Sequence, residues 1–261
     1  MINERMPFAE ETAFSLLSTP SERMDDMYSW RARIGVIAPM DDQVEYAFNR
    51  YAPDGVAFNC SRLSFPGPTP EGLEVLTDQL EGAARMYRDQ HHEVVLFGCT
   101  SGSCIRGAGW DQECIRRIER ACGWPGLTTS TAVLEAYRAL GLKRTVVMTP
   151  YPDATNEAEK QFLEDNGVEV VSITGVGFHE IGEYSYADKR FLYREAKKIA
   201  LDGVDVFFLS CMGLATMELI QVLEEDLGVP VITSHQASLW ACLRRAGVRD
   251  RLPGLGKLFA V

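Results

Sequence analysis

The stretch Val94–Ser103, VVLFGCTSGS, decides how this chain is read. Its four apolar residues have the length and character of a buried strand. Gly98, Cys99, Thr100, Ser101, Gly102 and Ser103 then supply a thiol, hydroxyls and small side chains where a helix can begin. A thiol at a helix N-terminus has its thiolate stabilised by the dipole and the local N–H groups, and the thiolate is the reactive form. The arrangement recurs in the second half. Asp205–Ser210, DVFFLS, runs into Cys211, Met212 and Gly213, and the spacing beyond predicts a helix over Leu214–Leu227.

The two halves align beyond these turns. RIGVIAPM (33–40) matches RTVVMTPY (144–151), and GWPGLTTSTA (123–132) matches GVPVITSHQA (228–237). Pro39 and Pro150 are 111 residues apart, Cys99 and Cys211 112. Repetition at this scale is that of a duplicated domain, not of a solenoid.

Strands are predicted at 33–38, 55–60, 94–97, 144–149, 168–174, 205–210 and 229–233, with a further short strand within 123–129. Helices are predicted at 43–50, 71–90, 111–121, 131–140, 156–165, 189–201, 214–227 and from 234 to Ala246. Strands alternating with helices define an α/β fold with parallel sheets, here two pseudo-symmetric Rossmann-like lobes. Ligands of such sheets sit at the carboxyl ends of the strands, where both proline loops and both cysteines fall, so the site is expected in the cleft between the lobes. The expected division is an N-terminal arm (1–30), a first lobe (31–130) with 235–261 packing on it, and a second lobe (131–234).

Composition narrows the partners. The chain has 261 residues, 46 % hydrophobic and 24 % charged, enough for a full core. A formal charge of −11 argues against nucleic acid or an anionic membrane as partner. The first residues carry acids and lack an apolar core, unlike a secretory signal, and no run is long enough to span a bilayer. Seven cysteines in a chain of this size, with no C-x-x-C pair, predict a reducing, cytoplasmic setting without structural zinc. A cysteine phosphatase is excluded by register, because the arginine needed six positions after Cys99 is Ile105, with Arg106 one place late. His91 and His92 read as surface residues. His235 follows the repeated threonine strand, which allows a place near the expected cleft, but it reads first as a helix-terminal residue.

With RIGVIAP (33–39), GCTSGS (98–103), TPY (149–151) and SCMG (210–213) in this order, the sequence resembles the aspartate/glutamate racemase superfamily. Its likeness is to the maleate cis–trans isomerase and arylmalonate decarboxylase branch, and it extends over Arg31–Gly247. The resemblance implies a cofactor-independent enzyme, an isomerase acting on a small carboxylate or dicarboxylate, and it is compatible with a homo-oligomer. It puts the two catalytic cysteines at Cys99 and Cys211. The carboxylate site falls on Pro39, Thr100, Ser101, the Tyr151 hydroxyl and the N–H groups near Met212 and Gly213. Hydroxyls and N–H groups of this kind cradle a carboxylate and stabilise the enediolate formed when a proton or CO₂ leaves. For Tyr151 a packed aromatic after a strand is the alternative reading.

Decarboxylases of the branch have glycine at the first cysteine position, so two cysteines favour isomerase or racemase chemistry. By the resemblance, Asp42 stands where maleate isomerases carry one asparagine, and the stretch Gly177-Phe178-His179-Glu180, with Phe178 the candidate, where they carry another. An acid at 42 repels a second substrate carboxylate unless it is protonated or paired. A decarboxylase using Cys211 alone, and a non-catalytic carboxylate-binding member such as an ectoine-utilisation protein, are the competing readings.

Overall fold

The computed structural model describes residues 29–40, 42–178 and 183–261. The expected N-terminal arm, apart from its last two residues, lies outside them, as do His179 and Glu180. The first sheet contains β1 (Ala32–Pro39), β2 (Val56–Leu63), β3 (Val94–Phe97) and β4 (Gly126–Thr128) in the order β2-β1-β3-β4. The second contains β5 (Arg144–Thr149), β6 (Glu169–Gly175), β7 (Val206–Leu209) and β8 (Val231–Thr233) in the order β6-β5-β7-β8. Every pairing in both is parallel, and the two orders are the same.

Side chains two apart on a strand share a face, and that rule builds the core. Val36, Leu96, Val146, Met148, Phe207 and Leu209 belong to one cluster common to both sheets. Their neighbours face outward into separate cores: Ile37, Val95 and Phe97 in the first lobe, and Val147, Val206 and Phe208 in the second. The shared layer therefore ties the lobes together through the faces that carry the strand ends.

The helices complete the exchange. In chain order they are α1 (Val44–Tyr51), α2 (Pro70–Thr77), α3 (Leu80–Ala84), α4 (Thr100–Cys104), α5 (Trp110–Cys122), α6 (Thr129–Leu140), α7 (Asp153–Asp165), α8 (Lys189–Ala196), α9 (Ile220–Leu227) and α10 (Ser234–Arg245). Although α6 follows the last strand of the first sheet, Val133, Leu134 and Tyr137 pack with Val147, Phe162 and Phe208 of the second lobe. Conversely, α10 follows the last strand of the second sheet, and its His235 ring meets Phe48 of α1 edge-on at 6.4 Å. The two helices also touch through Ser238 Oγ, which donates to Thr129 Oγ1 at 3.1 Å.

Three expectations need correction. The helix expected over 71–90 is broken into α2, α3 and a 3-10 turn at Arg85–Tyr87, although Leu73, Leu76, Leu80, Ala83, Ala84 and Tyr87 still face one core, so apolar spacing alone does not reveal the breaks. No helix follows Cys211 directly. A 3-10 turn at Met217–Leu219 precedes α9, and the apolar spacing of Leu214, Met217 and Leu219 reflects their burial rather than a helical period. His92 is buried, between Gln90 O at 2.9 Å and Asn59 Oδ1 at 3.2 Å, whereas His91 is exposed. Among the described residues no helix is long and apolar enough to cross a membrane.

The buried Tyr137 hydroxyl donates to Thr145 Oγ1 at 2.9 Å, pinning α6 to the second sheet. Tyr137→Phe is expected to cost about 1 kcal/mol of stability, the net worth of one buried hydrogen bond. It should lower the urea midpoint at unchanged slope.

Candidate active site

The carboxyl ends of β1, β2, β3, β5 and β7 converge on one cleft of about 280 Å³, lined by Pro39, Asp42, Phe65, Gly98, Cys99, Thr100, Ser101, Tyr151, Cys211, Met212 and Gly213. Two related turns, one from each lobe, thus contribute a cysteine apiece. All the site residues expected from sequence line this cleft except Phe178, whose ring packs against Phe191 with centroids 5.8 Å apart. Phe65 and Gly98 were not anticipated as lining residues. Phe65 lies two residues beyond the end of β2, so the strand-end rule points to it.

Cys99 caps α4 in the expected manner. Its backbone is extended, and its sulfur accepts the Gly102 N–H at 3.3 Å. A Cβ at Gly102 would stand 3.0 Å from that sulfur, so a glycine leaves the N–H room to approach. Because α4 is a single turn, this direct donor matters more to charge on sulfur than a macrodipole does.

Cys211 achieves a similar result without a helix. Its φ is 116°, the one positive value of a non-glycine residue among those described, and the bent chain lets the Gly213 N–H reach its sulfur at 3.2 Å. Strained backbone of this sort clusters at functional sites because surrounding contacts must hold it. Those contacts are visible. The Cys211 N–H donates to Ser234 Oγ at 3.0 Å, and Thr100 Oγ1 donates to the same oxygen at 2.8 Å. The first residue of α10 therefore joins the two cysteine turns. Two of this turn's backbone donors, the N–H groups of Cys211 and Gly213, are thus engaged within the protein.

Tyr151 is held just past β5. Its N–H donates to Thr149 Oγ1 at 3.1 Å, and Asn156 Nδ2 donates to its carbonyl at 3.1 Å. Burial, followed by Cys211, Glu159 and Cys99, pushes the phenol well above its ordinary value, so it stays a proton donor. Behind this wall Glu159 is buried and accepts from Ser210 Oγ at 2.6 Å. Burial raises its carboxyl to about 7, opposed by the Ser210 hydrogen bond.

Two arginines of the first lobe are already engaged. Arg62 donates to Pro39 O at 2.5 Å and Asp42 O at 3.1 Å and pairs with Glu45, while Arg106 pairs with Glu74. No group of three or more His, Cys, Asp or Glu among the described residues is disposed to hold a metal ion.

Fold and cleft together define a two-lobed α/β protein with a thiol from each lobe and a hydroxyl-rich anion pocket between them. The chain belongs to the arylmalonate decarboxylase family, whose pattern it matches over residues 34–259. The arylmalonate decarboxylase of Bordetella bronchiseptica is 34 % identical over 214 residues, covering 80 % of this chain and 88 % of that protein. The maleate isomerase of Nocardia farcinica is 24 % identical over 241 residues, covering 87 % and 94 %.

Among solved structures, a glycine-to-cysteine, cysteine-to-serine double mutant of arylmalonate decarboxylase in liganded form superposes with a TM-score of 0.81 at 33 % identity, over 87 % of this chain and 98 % of that one. A cysteine-to-serine mutant of the N. farcinica maleate cis–trans isomerase, with a covalently bound succinylcysteine intermediate, gives 0.83 at 22 % identity, over 87 % and 98 %. At that identity the second likeness speaks for the fold alone.

Two outcomes follow from the site's supports. Ser234→Ala leaves the Cys211 N–H and the Thr100 hydroxyl without their acceptor, and should destabilise the protein by about 1–3 kcal/mol in chemical denaturation. For Glu159, the unfolded chain ionises near 4.5 while the folded one keeps its proton to about 7. Stability should therefore fall across that interval, by up to about 1.4 kcal/mol per pH unit, and level off above it. Measured from pH 5 to 8, the Glu159→Gln variant should lack this decline.

Proposed function

We propose that the chain is a cofactor-independent isomerase of a small carboxylate, with Cys99 and Cys211 as its two catalytic groups. Family membership supports the coarser statement, an enzyme that isomerises or decarboxylates a small carboxylate. The observation favouring isomerisation is that two cysteines from duplicated turns line a single cleft, each with a backbone N–H on its sulfur. The lobes in this reading are 31–130 together with 235–261, and 131–234, consistent with the crossing of α6 and α10. Seven thiols suit a reducing, cytoplasmic setting.

In this reading the Ser101 and Tyr151 hydroxyls, with the backbone N–H groups of Thr100 and of the turn near Met212 and Gly213, bind one substrate carboxylate. They stabilise the charge that develops on it as the adjacent carbon reacts. Either of two routes then applies. One thiolate adds to a double bond, the central bond rotates and the thiolate leaves, or one cysteine removes an α-proton while the other delivers a proton to the opposite face. Both begin from one thiolate and one thiol, a coupled pair.

The second reading is decarboxylation with Cys211 as the sole proton donor. It is favoured by the 34 % identity to the B. bronchiseptica arylmalonate decarboxylase, against 24 % for the N. farcinica maleate isomerase.

Cys99→Ser and Cys211→Ser should each lower turnover of an isomerised acid by at least about 100-fold, the lower bound for losing a positioned acid or base. Full activity in both variants would end the two-thiol reading. Deuterium at the α-carbon after reaction in D₂O identifies proton transfer, its absence identifies addition, and CO₂ from a malonate-type acid with Cys99→Ser still active identifies the decarboxylase.

A further inference from the structure

The chemistry proposed above leaves one buried pair unused. Asp42 lines the cleft, and His235 of α10 stands behind it. Their side chains are 2 % and 1 % exposed, and Asp42 Oδ1 is 3.7 Å from His235 Nε2, beyond hydrogen-bonding distance. Among the described residues neither carboxylate oxygen of Asp42 and neither ring nitrogen of His235 has a hydrogen-bond partner. A buried carboxyl group so placed is unfavourable unless a donor reaches it. On one side the His235 ring and the Val44 N–H are the donors nearest to doing so, and on the other is the cleft.

Charge around the pair sharpens the point. Among the described residues no Lys or Arg lines the cleft. Arg62 is committed to two backbone carbonyls and to Glu45, and Arg106 to Glu74. A second anionic group arriving at this end would therefore meet a carboxyl and no counter-ion. An ionised Asp42 presents an acceptor to the cleft, and so does a protonated one whose hydroxyl is directed at the ring.

We propose that Asp42, backed by His235, is the specificity-determining residue for the far arm of the substrate: it accepts a hydrogen bond from an amide, hydroxyl or ammonium group there and rejects a second carboxylate. The substrate class is thus a small monocarboxylate with a donor at its other end. This rests on the reading that the Thr100, Ser101 and Tyr151 wall holds the first carboxylate.

Succinate and succinamate differ only in replacing one carboxylate by an amide, and neither offers a double bond. In isothermal titration the wild-type protein should bind succinamate at least about tenfold more tightly, the worth of one well-formed hydrogen bond against an unpaired charge. Asp42→Asn, which gives the position a donor and removes a buried acid, should shrink that preference by about tenfold or reverse it while thermal unfolding stays at or above the wild-type midpoint. Equal wild-type affinities for the two acids would overturn the proposal and leave the carboxylate reading standing. So would an unchanged preference in a folded Asp42→Asn protein. Binding of neither acid would overturn the carboxylate reading as well. The wild-type comparison stands whether or not the variant folds.

Discussion

One hydroxyl does much to hold the cleft in shape. Ser234 Oγ accepts from Thr100 Oγ1 and from the Cys211 N–H, in a place fully removed from water. Those two donors come from the turns that carry the thiols, one turn from each lobe. A buried polar group is costly to leave unpaired, so the three residues hold one another in a single arrangement. The positive φ of Cys211 is affordable only inside such a network. The helix that begins at Ser234 is set in turn by the Thr233–Gln236 capping box, so its start is as firmly defined as the turns it joins.

The exchange of α6 and α10 extends the same constraint. Each helix leaves one lobe and packs against the other, and the sheets share a common apolar layer. The lobes cannot drift apart without opening that layer. A cleft formed at such a junction keeps its two walls in register, which acid–base or addition chemistry from two sides demands. Behind the walls the structure tolerates buried ionisable groups, Glu159 on one side and Asp42 with His235 on the other, each close to a cysteine turn or to the cleft itself. Groups of that kind cluster where charge must be managed.

Much of this was legible along the chain. The strand-then-cysteine turns, the proline loops and the repeated threonine strands mark both halves, because strand ends in parallel sheets carry local signatures of glycine, proline and small hydroxyls. The residues assigned to the cleft from these turns and from the family resemblance line it, with Phe178 the exception. Leu214–Leu219 reads as helix because burial in a loop imitates helical spacing, and periodicity cannot tell the two apart. His92 reads as surface because polar character alone does not reveal the Asn59 and Gln90 oxygens that satisfy its ring.

Sequence alone determined the α/β class, the duplication and the two cysteine turns, since each depends on contacts within a few residues or on repetition of a pattern. Only the tertiary structure decided that the Ser234 hydroxyl joins those turns, that Cys211 is served by a bent loop instead of a helix, and that Asp42 meets His235. These are contacts between residues 23 to 193 positions apart, or dihedral choices that packing imposes, and no local propensity encodes them. The chemistry was written in short motifs, and its geometry in the way the lobes exchange their last helices.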